Sequence, residues 1–393
     1  MNALLATALM LAAGDVEVFL KTDRQPARQP AKAIGSDFIE TWLTLDNLKL
    51  HHKVAVDPKN ADEPVSFGYG DFFFGCEFGR EGNGGWNLWH FTSASVTDPR
   101  NPGKPVGLYR RAEGLHIVER GPRAVADVAW WLAAGPQKQP NDLVTMRLIK
   151  LAAEPAWCYI ETAVEGETPL ALASTWYSAF PGNTSGPPAR ERWVTAPGRS
   201  HNLMTGPVEL DPARDWAISL HNKHGDERGG SLLVFDPDEV ATARVEGTYG
   251  VTIHLTPKPG RKAVRVAISY FLRQHYEQAN AAFLRDAPGA LERLRKVDWE
   301  ADLGRLESTW GREMQELAEP LRLAAGDEEL ALRMDGVRAN YGKALAEAKA
   351  ARAQGKPVPR RLQRQLADSL TQFRSARDAL FAAAVKALLN EKK

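Results

Sequence analysis

Three stretches of the sequence gather residue types that could do chemistry, and each also admits a purely structural reading. The first, FGYGDFFFGCEFGREGNGGWNLWHF at residues 67–91, packs nine Phe, Tyr or Trp and seven Gly into twenty-five positions. Its glycines permit close backbone approach and positive φ, and Trp86, Trp89 and His90 follow a GNGG turn that could hold a ring at the mouth of a cleft. Flat aromatic faces suit the C–H faces of sugars, because stacking buries area without demanding exact hydrogen-bond register. The other reading puts most of these aromatics in the core between two packed sheets.

The second stretch, STWYSAFPGNTSGPPARERWVTAPGRSHN at residues 174–202, is too rich in Pro and Gly for long regular structure. Arg190, Arg192 and Arg199 could grip a carboxylate or sulfate bidentately, with Trp176 and Trp193 as a platform. Alternatively RERWV is a strand with its arginines on the wet face. The third, SLHNKHGDERGG at residues 219–230, holds His221, His224, Asp226 and Glu227. An HxxH spacing followed by carboxylates could coordinate a divalent ion if a turn brought the rings together, although the helical HExxH arrangement is missing; a polar hairpin turn is the alternative. His201 or His221 could instead serve as general acid or base, since an ordinary imidazole pKa near ~6.5 suits neutral pH, and Tyr177 is a further candidate base. No GxSxG elbow, phosphate loop or GxGxxG fingerprint is present, so no cofactor is expected.

These stretches lie in a region that reads as β. From about 36 to 272, short alternating or β-branched runs such as FIETWLTL, RAVADVAWW and KAVRVAISYFL are separated by Gly, Pro, Asp and Asn. In RAVADVAWW the residues Val125, Asp127, Ala129 and Trp131 share one face, which predicts a strand with one side on a core. Helical periodicity is nearly absent before 274, which argues against a βαβ fold. Beyond Gln274, Ala, Leu, Glu and Arg dominate. A helix is predicted over about 300–318. A second carries a seam of Leu330, Met334, Val337, Tyr341, Leu345 and Ala348, and a third one of Leu362, Leu366, Leu370, Phe373, Ala376 and Leu380. The GKPVP connection between the last two forces an antiparallel hairpin.

In WCYIETAVEGETPLALASTWYSAF, a strand, a turn and a Pro-containing strand lead into an aromatic pair. This stretch resembles the middle of the galactose-mutarotase-like β-sandwich proteins, over about 25 residues by motif and about 240 by strand pattern. Laying Pro169 on the family's proline puts Tyr177 at its tyrosine and Thr175 where the family has its catalytic histidine, so no catalytic residue is carried over. The resemblance implies a large antiparallel supersandwich, of the kind also found in polysaccharide lyases and glycoside hydrolases, with sugars as typical ligands.

At the N-terminus the apolar run Ala3–Ala13, followed by Gly14, resembles an export signal over residues 1–14, giving a periplasmic or extracellular protein; read as a plain first element, it leaves the protein cytoplasmic. No stretch is long and apolar enough for a membrane span. Cys76 and Cys158, both among aromatics, fit two buried free thiols or one disulfide. The 50 basic residues nearly cancel the 49 acidic ones, which gives no reason to expect nucleic acid as partner. That average hides a split. Residues 330–393 carry 14 Lys/Arg against 5 Asp/Glu, a net of +9, which leaves −8 for residues 1–329.

The sequence therefore predicts a mainly β protein: a large antiparallel sandwich over 15–272, a helical connector over 273–323, and a basic helical hairpin over 324–393. The expected function is binding or processing of carbohydrate, in an aromatic cleft of Trp86, Trp89, Trp176 and Trp193 with polar contacts from His90, Arg190, Arg192, His201 and His221. If catalytic, lyase- or epimerase-like proton abstraction from an acidic sugar is the expected chemistry. The alternative is a noncatalytic structural protein whose basic hairpin forms a homodimer or docks an acidic partner.

Overall fold

A computed structural model describes residues 14–25, 38–46, 48–57, 60–64, 74–78, 89–97, 105–106, 109–133, 142–165, 171–178, 192–196, 199–202, 206–222, 231–247, 251–270, 276–323 and 328–391, with some of these described by their backbone alone. The chain forms two compact units. One comprises Met1–Leu115, Gly121–Ala124 and Val128–Val297; the other comprises His116–Arg120, Val125–Asp127 and Asp298–Lys393.

The first unit is built on antiparallel strands. One sheet contains β1 (Val18–Gln25), β2 (Phe38–Leu45), β3 (Leu48–Asp57), β4 (Asn60–Pro64), β5 (Phe74–Phe78), β6 (Trp89–Thr97), β7 (Pro105–Val106), β12 (Ala171–Ser178), β15 (Val208–Leu210), β18 (Val240–Gly247) and β19 (Val251–Pro257). The other contains β8 (Tyr109–Glu119), β9 (Arg123–Ala133), β10 (Asp142–Leu151), β11 (Trp157–Glu165), β13 (Arg192–Ala196), β14 (Arg199–Asn202), β16 (Ala217–Asn222), β17 (Ser231–Phe235) and β20 (Ala263–Tyr270). The strand orders are β1-β2-β3-β5-β6-β12-β19-β18-β15, with β4 on β3 and β7 on β6, and β14-β13-β16-β17-β20-β11-β10-β9-β8. The sheets meet through their central strands, β12 lying against β20, so the sandwich architecture expected from the strand pattern is present.

The two sheets differ in how they are covered. In the first, Leu43, Ala243, Val245, Ile253 and Leu255 are buried while the alternating positions Arg244, Glu246 and His254 keep solvent contact, the one-sided pattern of a half-covered antiparallel sheet. In the second, Ala124–Ala129, Leu143–Lys150 and Trp157–Thr162 are buried without interruption. RAVADVAWW was expected to bury one side only; the middle of β9 is instead buried on both. Continuous burial brings polar groups inside, and several of them carry partners. The Lys150 ammonium donates to the carbonyls of Pro155 at 2.5 Å and Trp157 at 3.1 Å. Helix α1 (Tyr276–Lys296) lies on β16, β17 and β20, and its Arg295 forks onto Asp236 at 2.8 and 3.1 Å.

The second unit holds α2 (Leu303–Glu316), α3 (Ala318–Leu323), α4 (Glu328–Ala353) and α5 (Arg360–Glu391). Asp302 caps α2 by accepting the Arg305 amide at 3.0 Å. Helix α4 ends in a Schellman motif: the Lys356 amide reaches the Ala351 carbonyl, the Gly355 amide reaches that of Arg352, and Gly355 takes φ 68°. Pro357 and Pro359 then turn the chain into α5, giving the expected hairpin. Its seam follows the predicted positions except that Ala344 is buried where Leu345 was expected. Leu330, Met334, Val337, Phe373, Ala376 and Leu380 form one core with Leu317. The Trp310 and Tyr341 rings stack beside it at 3.9 Å with planes 6° apart. Asp127 and Arg364, 3.7 Å apart, are both almost completely buried.

Because Phe373 is fully buried at that junction, Phe373→Ala is expected to lower the stability of this unit by about 3–5 kcal/mol, read from urea unfolding followed by Trp fluorescence. Cys158 is free and buried, and burial pushes its thiol up to about 12 against the pull of Lys150. Between its ordinary value of 9.0 and that value the unfolded chain loses a proton that the folded chain keeps, so this group lowers stability as pH rises through that window. Lys150, held below its usual value by burial, acts in the opposite sense. In a Cys76→Ser background, Cys158 is expected to stay unreactive toward a thiol reagent at pH 8 until the protein is unfolded; prompt modification of the folded protein would contradict this.

Candidate functional site

Residues directly opposite one another in antiparallel strands share a face and sit about 4.5–5.5 Å apart at Cα. Following such pairs across the first sheet gives one continuous row: Trp42 of β2, His51 of β3, Gly75 of β5, His90 of β6, Tyr177 of β12, Thr252 of β19 and Glu246 of β18. A second row, two residues along on the same face, runs from Ser93 through Thr175, His254 and Arg244 to Glu209. Strict alternation along β6 would put His90 and Ser93 on opposite faces. They share one because the β6–β12 register shifts between Thr175 and Trp176, leaving Thr92 as an extra residue. Bulges of this kind often re-aim a side chain beside a functional site.

The described side chains of this face form a connected polar group. His254 Nε2 lies 3.1 Å from Glu246 Oε1, the other Glu246 oxygen accepts from Arg244 at 2.9 Å, and Arg244 also approaches Glu209 at 3.5 Å. His254 is 36% exposed and Arg244 45%, so the group opens to solvent while Ile253 and Val245 beneath it are buried. A carboxylate holding an imidazole gives a proton acceptor of fixed orientation, and a guanidinium two residues from that carboxylate offers an anion contact.

The residues singled out from sequence are distributed over four sheet faces. His90 and Tyr177 fall on the open face just described. Trp89, opposite Cys76, and Trp176, opposite Ile253, fall on the reverse side of the same sheet. In the second sheet Trp193 pairs with His221 on one face, whereas Arg192 and His201 belong to the other, Arg192 opposite Asn222 and His201 opposite Val194. Among the described residues, Nε2 of His201 is buried with no hydrogen-bond partner. Trp86, Arg190 and His224, and residues 1–13 of the proposed export signal, lie outside the described residues. Among those described, no group of three or more His, Cys, Asp or Glu is placed to hold a metal ion, and no helix is long and apolar enough to cross a membrane. Sequence reading missed Trp42, His51, Arg244, Glu246 and His254. They come from four strands in two distant stretches, and only the HxK and RxE alternation of LKLHHKVAV and ATARVEG hints that polar residues share one side.

Two other charged groups are structural. His116 donates from Nδ1 to both oxygens of Asp368 at 2.8 and 2.9 Å. In the sandwich, Arg265 bridges Glu161 at 2.6 Å and Glu239 at 3.0 Å, both of them buried. Burial raises Glu239 above the ordinary carboxylate value although Arg265 and Arg261 pull it down. Removing Arg265 would leave two carboxylates in a dry site, so Arg265→Met is expected to cost about 3–5 kcal/mol at neutral pH. Without the guanidinium the folded carboxylates bind protons more tightly than the unfolded ones, so stability is lost as pH rises through their range and should recover partly on acidification toward pH 5. Urea midpoints at pH 5 and pH 7.5 provide the check.

No protein-family model and no curated protein matches this sequence. Solved structures similar to it include a candidate aldose 1-epimerase from Klebsiella pneumoniae, 9% identical, covering 70% of this chain and 88% of that one at a TM-score of 0.35. A candidate mutarotase from Salmonella typhimurium is 10% identical, covering 69% of this chain and 99% of that one at 0.34. A heparan sulfate lyase from Pedobacter heparinus is 9% identical, covering 59% of this chain and 36% of that one at 0.31. At these values no residue correspondence and no activity passes to this chain.

Proposed function

We propose that the open face of the first sheet binds carbohydrate, with an acidic sugar as its preferred ligand, and that its chemistry on that ligand is lyase- or epimerase-like proton abstraction. The observation that carries this reading is the pair of register rows that sets Trp42, His90 and Tyr177 on the same face as the His254–Glu246 pair and Arg244. An aromatic ring supplies stacking area for a sugar, and the guanidinium of Arg244 suits a uronate carboxylate. A proton beside that carboxylate is acidified when the carboxylate is neutralised, and His254, oriented by Glu246, is the group to receive it. An exported protein would meet such sugars, which agrees with the apolar N-terminal run.

Calorimetric titration with acidic and neutral oligosaccharides tests this. Binding of the acidic series is expected to weaken roughly tenfold or more in Arg244→Ala, the usual loss for a charge-assisted hydrogen bond, with neutral sugars little affected. His254→Gln should leave binding nearly intact while abolishing any ultraviolet signal from a new carbon–carbon double bond. Trp86→Ala and Trp193→Ala serve as companion variants for the aromatic contacts expected from sequence. Absence of binding to any oligosaccharide at millimolar concentration, or equal binding by parent and Arg244→Ala, would rule the reading out.

One observation favours a second reading, self-association through the hairpin. Phe381, Val385, Leu388 and Leu389, on the last turns of α5, are 43–62% exposed and follow a spacing of four, three and one along one side of the helix. Sedimentation of the full chain against a Phe381→Lys, Leu388→Lys double variant is expected to show a larger mass for the parent; identical monomers would remove this reading.

A further inference from the structure

Within the helical unit a cavity of about 40 Å³ opens between the end of β8, α2 and α5. A buried water needs about 10–15 Å³ on the same measure, so the space takes roughly three waters or the four oxygens of one small anion. Its floor is apolar, with Leu306 and Leu370 both almost fully buried. Three arginines, Arg120, Arg305 and Arg374, line it against a single acidic residue, Glu119. Arg305 turns one nitrogen to Glu119 at 3.4 Å and to the Arg120 carbonyl at 3.4 Å. Arg374 is fixed by a fork onto Glu313, which stands outside the lining, with its Nε 3.0 Å from both carboxylate oxygens. Burial, and then the like charge of Arg374, hold Arg120 below its usual value. Thr309 completes the lining.

We infer that this cavity is a binding site for a small tetrahedral oxyanion, sulfate or phosphate. Like charges held around a common hollow are stabilised by a bridging anion, and guanidinium groups present the paired N–H donors that sulfate and phosphate oxygens accept. The cavity volume admits the anion itself. This site is separate from the sheet face described above and stands or falls independently of it.

The test is calorimetry on the full chain with sodium sulfate, sodium phosphate and sodium acetate, ionic strength being held constant with sodium chloride. Sulfate or phosphate is expected to bind, acetate more weakly, and Arg120→Gln to weaken the better anion about tenfold or more, as expected on removing a charge-assisted contact. Arg120→Lys, which keeps the charge, should lose less. Thr309→Leu fills the cavity without touching any charge and should also abolish binding, so the inference remains decidable if the Arg120 variant fails to fold. Heat no larger than the chloride control, binding by Arg120→Gln or Thr309→Leu equal to the parent's, or acetate binding as tightly as sulfate would each overturn it.

Discussion

Antiparallel backbone pairing commits every residue of the first sheet to one of two faces, and the rest of this protein's organisation follows from that commitment. Ile253, Leu255, Val245 and Leu43 lie on one side because a single register runs through β2, β3, β18 and β19, and all four are buried. The same pairing, with no further adjustment, sends His254, Arg244 and Glu246 to the other side. A slip of one residue anywhere along the ladder would exchange the two sets and put three charged or ionisable groups into the core, which is why burial on one face enforces register on both. The irregularity at Thr92 brings His90 to the face of Tyr177.

The second sheet solves a different problem. Its central strands are buried through their middles, and several of the polar side chains there are satisfied from within the protein. Lys150 spends its donors on two backbone carbonyls, Arg265 spans two carboxylates, and Asp127 meets Arg364. Such pairs add little net stability, because desolvation consumes most of the Coulomb gain, but each becomes costly when one member is lost. Their consequence is specificity of arrangement: Arg265 fixes β20 against β11 through Glu161, and Arg295 fixes the end of α1 against Asp236 and Asp238.

Much of the architecture was legible in the chain. The period-two runs identify strands, the change at Gln274 marks the helical region, and the seam Leu362, Leu366, Leu370, Phe373, Ala376 and Leu380 is buried at every position. The hairpin was readable because GKPVP concentrates the turn chemistry that a Schellman ending requires. The double-sided burial of β9 was not readable. Alternation reports one covered face, and the small residues of RAVADVAWW are equally compatible with one or two.

The candidate site shows where local reading stops. His90 and Tyr177 stood out because unusual neighbours surround them in sequence. Their companions on the open face, His254, Glu246 and Arg244, sit in unremarked strands 67 or more positions from Tyr177. By itself the sequence determined the periodicities, the charge split between a net-acidic stretch 1–329 and a basic helical tail, and the places where the chain must turn, because these depend on neighbours within a few residues. Only the tertiary structure decided which strands pair, which face meets solvent, and which charged groups therefore meet across strands or around the arginine-lined cavity, because those are contacts between residues far apart in the chain.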